Sequence, residues 1–140
     1  PVIRLKEGHE PKIIDNPFVE DSLNNLILKG NNYVLLVVAW DLDLAKGKSF
    51  EKLNTLYDYA NEKGLSFIAA TSKTHLVPDF RAKNNVKFDF EGADEKVLKT
   101  IVRSNPGVLL IKDGTILGKW DKNRIPKIKK IEKRIAKSKE

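Results

Sequence analysis

The sequence predicts an α/β domain in which a central mixed sheet carries helices on both faces and closes with a hairpin and a final helix. Three observations carry that expectation. Tyr33 to Trp40 is an unbroken apolar run rich in β-branched residues, the pattern of a strand buried on both faces. An amphipathic stretch and a second apolar run, Leu65 to Thr71, follow it; strand, helix, strand implies parallel pairing through a right-handed crossover. Finally, Val108-Leu109-Leu110-Ile111 and Thr115-Ile116-Leu117 flank Asp113-Gly114, a strong short-range hairpin signal.

The elements follow in order. Val2 to Leu5 and Lys12 to Ile14 read as short extended segments separated by Gly8-His9-Glu10-Pro11. Leu23, Leu26 and Ile27 fall at helical spacing within Glu20 to Lys29, and Gly30 is a usual helix-ending residue. Residues 1–30 thus form a lead-in and first helix, and 31–140 one globular unit. Ser49 is expected to cap a helix whose apolar stripe is Phe50, Leu53, Leu56, Tyr57 and Ala60, with Gly64 at its end. His75 to Asn84, broken by Pro78, leaves room for one short helix, and Val86 to Phe90 alternates like an edge strand. Asp94 caps a helix carrying Val97, Leu98, Ile101 and Val102, which stops at Ser104-Asn105-Pro106. Pro126 suits the first turn of a last helix that places Ile125, Ile128, Ile131 and Ile135 on one side and lysines elsewhere.

Composition narrows the chemistry. The chain has 140 residues, 41% of them apolar and 32% charged, ordinary for a globular domain. No apolar run approaches the roughly 18 residues of a membrane span. The net charge is +7, and the ten basic and three acidic residues from Lys119 to Glu140 account for all of it. The body is neutral, so the excess belongs to the tail and does not describe a basic cleft. Methionine is absent and the chain starts at Pro1, which reads as a fragment or a processed chain. Cysteine is absent too, removing disulfides, thiol nucleophiles, zinc–thiolate sites and dithiol exchange together. No Walker loop, Gly-x-Gly-x-x-Gly, Gly-x-Ser-x-Gly or His-Glu-x-x-His is present, and no cofactor is expected.

The order β-α-β-α-β-β-α with a proline just before the third core strand resembles thioredoxin. More specifically, the chain is similar to the C-terminal soluble domain of Bacteroidetes membrane proteins of the DoxX kind. The carrying residues are Leu98-Lys99-Thr100-Ile101-Val102-Arg103-Ser104-Asn105-Pro106-Gly107, then Leu110, Lys112-Asp113-Gly114-Thr115-Ile116 and Lys119-Trp120. Leu56-Tyr57-Asp58-Tyr59 and Lys6-Glu7-Gly8-His9-Glu10-Pro11 match more weakly. The resemblance implies a membrane-anchored parent; the sequence does not mark the membrane face, and the extracytoplasmic side is the expectation.

Thioredoxin-like oxidoreductases place Trp-Cys-x-x-Cys after the first core strand, where a helix N-terminus lowers the attacking thiol's pKa. The corresponding window here is Trp40-Asp41-Leu42-Asp43-Leu44. The tryptophan is in place and both sulfurs are gone. The resemblance further implies a cis Asn105-Pro106 bond facing Asp41 and Asp43 beside a helix start. Trp40, Asp41, Asp43, Asn105 and Pro106 are therefore the candidate groove for a peptide or protein partner, with the plain alternative that Pro106 only fixes a strand and the aspartates are solvated.

Other chemistries are weaker. Asp41, Asp43 and His75 are the alternative enzyme or metal site, but calcium wants six or more oxygens and zinc three or four ligands, and only His9 and His75 exist. Arg103 pairs with an anionic ligand or satisfies the end of its helix. The basic C-terminal helix suits either packing on the sheet or an anionic membrane surface, and both together if isoleucines face in and lysines out. Nucleic acid is disfavoured because no aromatics interleave with those lysines.

Overall fold

A computed structural model describes residues 3–7, 10–14 and 33–139. Among these, strands β1 (Ile3–Glu7), β2 (Glu10–Ile14) and β3 (Tyr33–Val38) precede helix α1 (Ser49–Lys63) and strand β4 (Ser66–Thr71). A 3-10 turn (Thr74–Leu76), helix α2 (Val77–Asn84), strand β5 (Glu91–Gly92) and helix α3 (Glu95–Ile101) follow. Strands β6 (Gly107–Lys112) and β7 (Thr115–Trp120) and helix α4 (Ile128–Ser138) close the fold. The helix expected over Glu20 to Lys29 lies outside the described residues.

The sheet order is β2-β1-β7-β6-β3-β4-β5. β3 pairs parallel to β4 and antiparallel to β6, so the two longest apolar runs lie side by side at its centre. Alternation along β3 sends Val34, Leu36 and Val38 to one face and Leu35 and Val37 to the other. The first face packs under Val97, Leu98 and Ile101 of α3; the second packs under Phe50, Leu53 and Leu56 of α1 and Ile131 of α4. Leu35, Leu36, Val37 and Val38 are fully buried, each such side chain contributing about 1.5–3 kcal/mol of transfer free energy. The α/β layering with helices on both faces is as the sequence implies.

The turn chemistry holds where glycine dictates it. Asp113 and Gly114 adopt φ 50° and 76°, the positive pair of a type I′ hairpin turn. Gly64 ends α1 at φ 73°. Asp94 caps α3 by accepting from the backbone N–H groups of Lys96 (3.0 Å) and Val97 (3.3 Å).

Four local expectations need correction. Ser49 is not the cap of α1: Lys48 holds that position without a side-chain bond, and the Ser49 hydroxyl instead donates to the Lys122 carbonyl at 3.0 Å. Pro78 starts α2 rather than breaking it, sitting in the first turn where a missing N–H costs nothing. Pro126 lies before the final helix, which is capped by Lys127 in an extended conformation and begins at Ile128. Val86 to Phe90 forms no strand; pairing on β4 falls to Glu91–Gly92. There the Asn54 side chain accepts from the Lys87 N–H (2.9 Å) and donates to the Asn85 carbonyl (2.8 Å), and Arg81 donates to the Val86 and Lys87 carbonyls. Side chains thus meet part of the backbone bonding that a ladder would have met. Phe88 and Phe90 turn into an aromatic cluster with Phe50 and Phe80.

Candidate functional site

Trp40, Asp41, Asp43, Asn105 and Pro106 come together where the β3–α1 connection meets the segment leading into β6. The Trp40 indole N–H donates to the Arg103 carbonyl at 3.0 Å. The Asn105 side-chain amide donates to the Asp41 carbonyl at 2.7 Å, and the Asn105 carbonyl accepts from the Lys46 N–H at 3.1 Å. Asn105 is 5% exposed and the Asn105-Pro106 bond is cis, as the resemblance implies. Gly107 follows against Val102: a Cβ at Gly107 would overlap the Val102 side chain.

Asp41 organises its own loop. One carboxylate oxygen accepts from the Asp43 N–H at 2.9 Å, and the Asp41 carbonyl accepts from the Leu44 N–H at 3.1 Å, closing a turn. The other carboxylate oxygen lies 3.0 Å from the Lys73 ammonium, which also reaches Asp43 at 3.3 Å. The Asp41 hydrogen bond, then Asp43 and the two negative charges, raise the Lys73 pKa above its ordinary value against the opposing cost of partial burial. Lysine is the residue that the sequence reading missed. Its place just beyond β4, the strand parallel to β3, was the available signal, because parallel neighbours end on the same side of a sheet.

This loop differs from the expectation in one decisive respect. The aspartates do not stand at a helix N-terminus: a turn and several loop residues separate Asp43 from Ser49, and Glu51 is the acidic residue of the first helical turn. Their charge is met by Lys73 and not by a helix dipole. Leu44 projects at 67% exposure, while Leu42 is buried.

Asp41, Asp43 and His75, the alternative metal or acid–base residues, do not form a metal-holding group. Among the described residues no group of three or more His, Asp or Glu side chains converges on a metal position. The Lys73 ammonium stands between the two carboxylates, and His75 is exposed on the 3-10 turn. Arg103 contributes its carbonyl to Trp40, while its side chain is exposed.

Beside the stitched loops runs an open trough of about 1020 Å³ with Trp40 and Trp120 in its lining. Lys96, Lys99 and Arg103 line it with them. The Lys99 ammonium sits 4.4 Å from the centre of the Trp40 ring and pairs with Glu95 at 3.3 Å. Trp120 folds back over Gly118, where a Cβ would meet its ring, and Arg134 lies 5.7 Å from the ring centre. No described helix is long and apolar enough to cross a membrane.

No family model and no curated protein matches the chain. Solved structures do. A protein described as a thiol:disulfide interchange protein DsbE from Chlorobium tepidum superimposes with a TM-score of 0.58 at 18% identity, over 97% of this chain and 92% of that one. A thiol-disulfide oxidoreductase from Bacteroides fragilis gives 0.58 at 16% identity, over 96% and 97%. StoA from Bacillus subtilis gives 0.54 at 13%, over 96% of each chain. Together with the sheet order, these likenesses identify the architecture: the chain has a thioredoxin-like fold, and it has no cysteine with which to exchange disulfides.

Proposed function

We propose that this domain is a non-catalytic binding module: a redox-inactive thioredoxin-like frame that holds a peptide or protein partner along the Trp40 groove. The observation that carries the reading is the way two loops are fastened there without sulfur. Trp40 is tied to Arg103, Asn105 to Asp41, and Asp41 to Lys73, with an open trough beside them. These ties are two hydrogen bonds to backbone carbonyls and one aspartate–lysine ion pair, and no nucleophile paired with a base is among them. A preorganised, chemically quiet groove favours association over turnover, since ordering costs are already met in the folded domain.

The resemblance of the segment after Leu98 to DoxX-type proteins supports a second part of the reading. On that reading the domain belongs to a membrane-anchored Bacteroidetes protein, and we place it on the extracytoplasmic side. Hydrophobic spans encoded upstream of Pro1 in the parent reading frame support that part, and their absence there removes it.

Panning a displayed peptide library on the purified domain tests the groove. Enriched peptides are expected to bind the native domain and to lose about tenfold or more in affinity on Trp40→Ala. Lys99→Ala, which strips the cation from the indole face without touching the core, serves as the second variant. Peptides that bind both folded variants as tightly as the native domain contradict the reading.

A further inference from the structure

The trough beside Trp40 does not end at Trp120. A second cleft of about 590 Å³ shares Lys119, Trp120 and Asp121 with it and continues beneath α4. Its walls carry Arg124, Lys127, Lys129, Lys130, Lys133 and Arg134, and its apolar lining is Trp120, Ile125 and Pro126. The helix that supplies most of these cations is fixed. Ile131 is fully buried, the Arg134 guanidinium donates to the Leu117 carbonyl at 2.8 Å, and Tyr33 and Ser138 hydroxyls meet at 2.7 Å. The tail's excess charge is therefore held in a defined cleft that opens into the candidate groove.

We infer that the occupant is an extended acidic peptide segment, running from Trp40 past Trp120 and along the lysine-lined wall of α4. This rests on the groove reading above and supplies its substrate class. Charge complementarity selects the acid: seven basic residues line the cleft and Asp121 is the acidic residue in its lining. Side-chain exposure selects peptide over the other polyanions. α4 offers a bilayer no exposed large apolar side chain; among the described residues only Leu44, on the Asp41 loop, is one. Unstacked bases need free aromatic faces, yet Trp120 is 9% exposed between Gly118 and Arg134, and Lys99 covers Trp40.

Fluorescence anisotropy with a labelled peptide of alternating glutamate and leucine tests the inference, against its glutamine–leucine counterpart, phosphatidylglycerol vesicles and a single-stranded oligonucleotide. The acidic peptide is expected to bind in a salt-sensitive way. It is expected to weaken about tenfold or more when Lys129, Lys130 and Lys133, all exposed, are changed to Glu in one variant whose circular dichroism is native. Equal binding of the glutamine peptide overturns the acidic class and leaves the groove reading standing. Acidic binding that the charge reversal abolishes but Trp40→Ala and Lys99→Ala do not touch confines the peptide to α4, and overturns both the continuous path and the groove. Binding only of vesicles or only of the oligonucleotide overturns the peptide in favour of lipid or nucleic acid, and no binding of any probe overturns the inference outright.

Discussion

The side-chain amide of Asn105 donates to the main-chain carbonyl of Asp41 at 2.7 Å, across a sequence separation of 64 residues and out of contact with solvent. It joins the loop that follows β3 to the residue that precedes cis Pro106, and with the Trp40–Arg103 and Lys46–Asn105 bonds it ties the two halves of the candidate groove together. Its other amide atom, Oδ1, has no hydrogen-bond partner. The gain from Nδ2 is therefore set against an unsatisfied acceptor, and the residue is held for position more than for net stability.

Asn105→Ala is expected to lower stability by about 0.5–1.5 kcal/mol, the net value of one such bond. Because the groove geometry depends on it, affinity for a groove-binding peptide should fall more than stability does. Urea unfolding and peptide titration on the same variant check both. A variant of native affinity shows that the loops keep their spacing by other means.

Lys73 gives the domain a pH dependence of definite sign. Its folded pKa is raised, so the stabilisation from its pairing with Asp41 and Asp43 is complete at neutral pH and is lost as pH rises through that elevated value. Tyr59 acts in the same direction, since burial and then the Glu132 charge raise its pKa and keep it neutral while the unfolded chain ionises. Thermal melts are expected to be flat across neutral pH and to fall above about pH 10. Lys73→Met should soften the alkaline fall, leaving the Tyr59 part. A steep loss between neutral pH and the ordinary lysine value contradicts this assignment.

Gly118→Ala is expected to displace Trp120. A Cβ there meets the indole ring, and the ring cannot retreat without leaving Arg134 and the buried Ile125 nearby in the same core. Overpacking of this kind costs about 1–3 kcal/mol. Because Trp120 lines both clefts, its fluorescence should shift and peptide affinity should fall together. An unshifted spectrum with native stability means the ring has room that the structure does not show.

Divalent metals should not stabilise the domain. The Lys73 ammonium already lies within 3.3 Å of both Asp41 and Asp43, so a cation entering between them must displace a charge of the same sign. Thermal shifts with calcium, magnesium and zinc are expected to be flat for the native chain. A clear rise with any of them returns the two aspartates to the status of ligands.

Much of the frame was legible because it rests on local chemistry. Asp113-Gly114 could hardly be other than a type I′ turn between two apolar runs, and the unbroken run before Trp40 could only be buried on both faces. The absence of sulfur needed no structure at all. What stayed hidden depends on long-range side-chain bonds. Val86 to Phe90 alternates like a strand, but Asn54 and Arg81 reach it from other elements and take up the backbone groups of Val86 and Lys87. Pro126 looked like a helical first-turn residue until the buried Ile125 and the Lys127 cap set the start two residues later. Lys73 gave no pattern of its own. Only the parallel pairing of β3 and β4 brings it to the aspartates, and pairing register is not written in composition. The continuity of the two clefts was hidden for the same reason, since the basic tail looked like a solvated face until Ile131 and Arg134 fixed it beside Trp120.

The central claim, that partners are held along the Trp40 groove of a chemically silent frame, is tested most directly by mapping amide chemical-shift changes on titration with a peptide enriched from the library. Changes are predicted to concentrate at Trp40, Arg103, Ser104, Asn105 and Trp120, with the indole resonances of both tryptophans moving. A map centred on the aromatic cluster around Tyr57, Phe67 and Phe88, with both indoles unmoved, contradicts it.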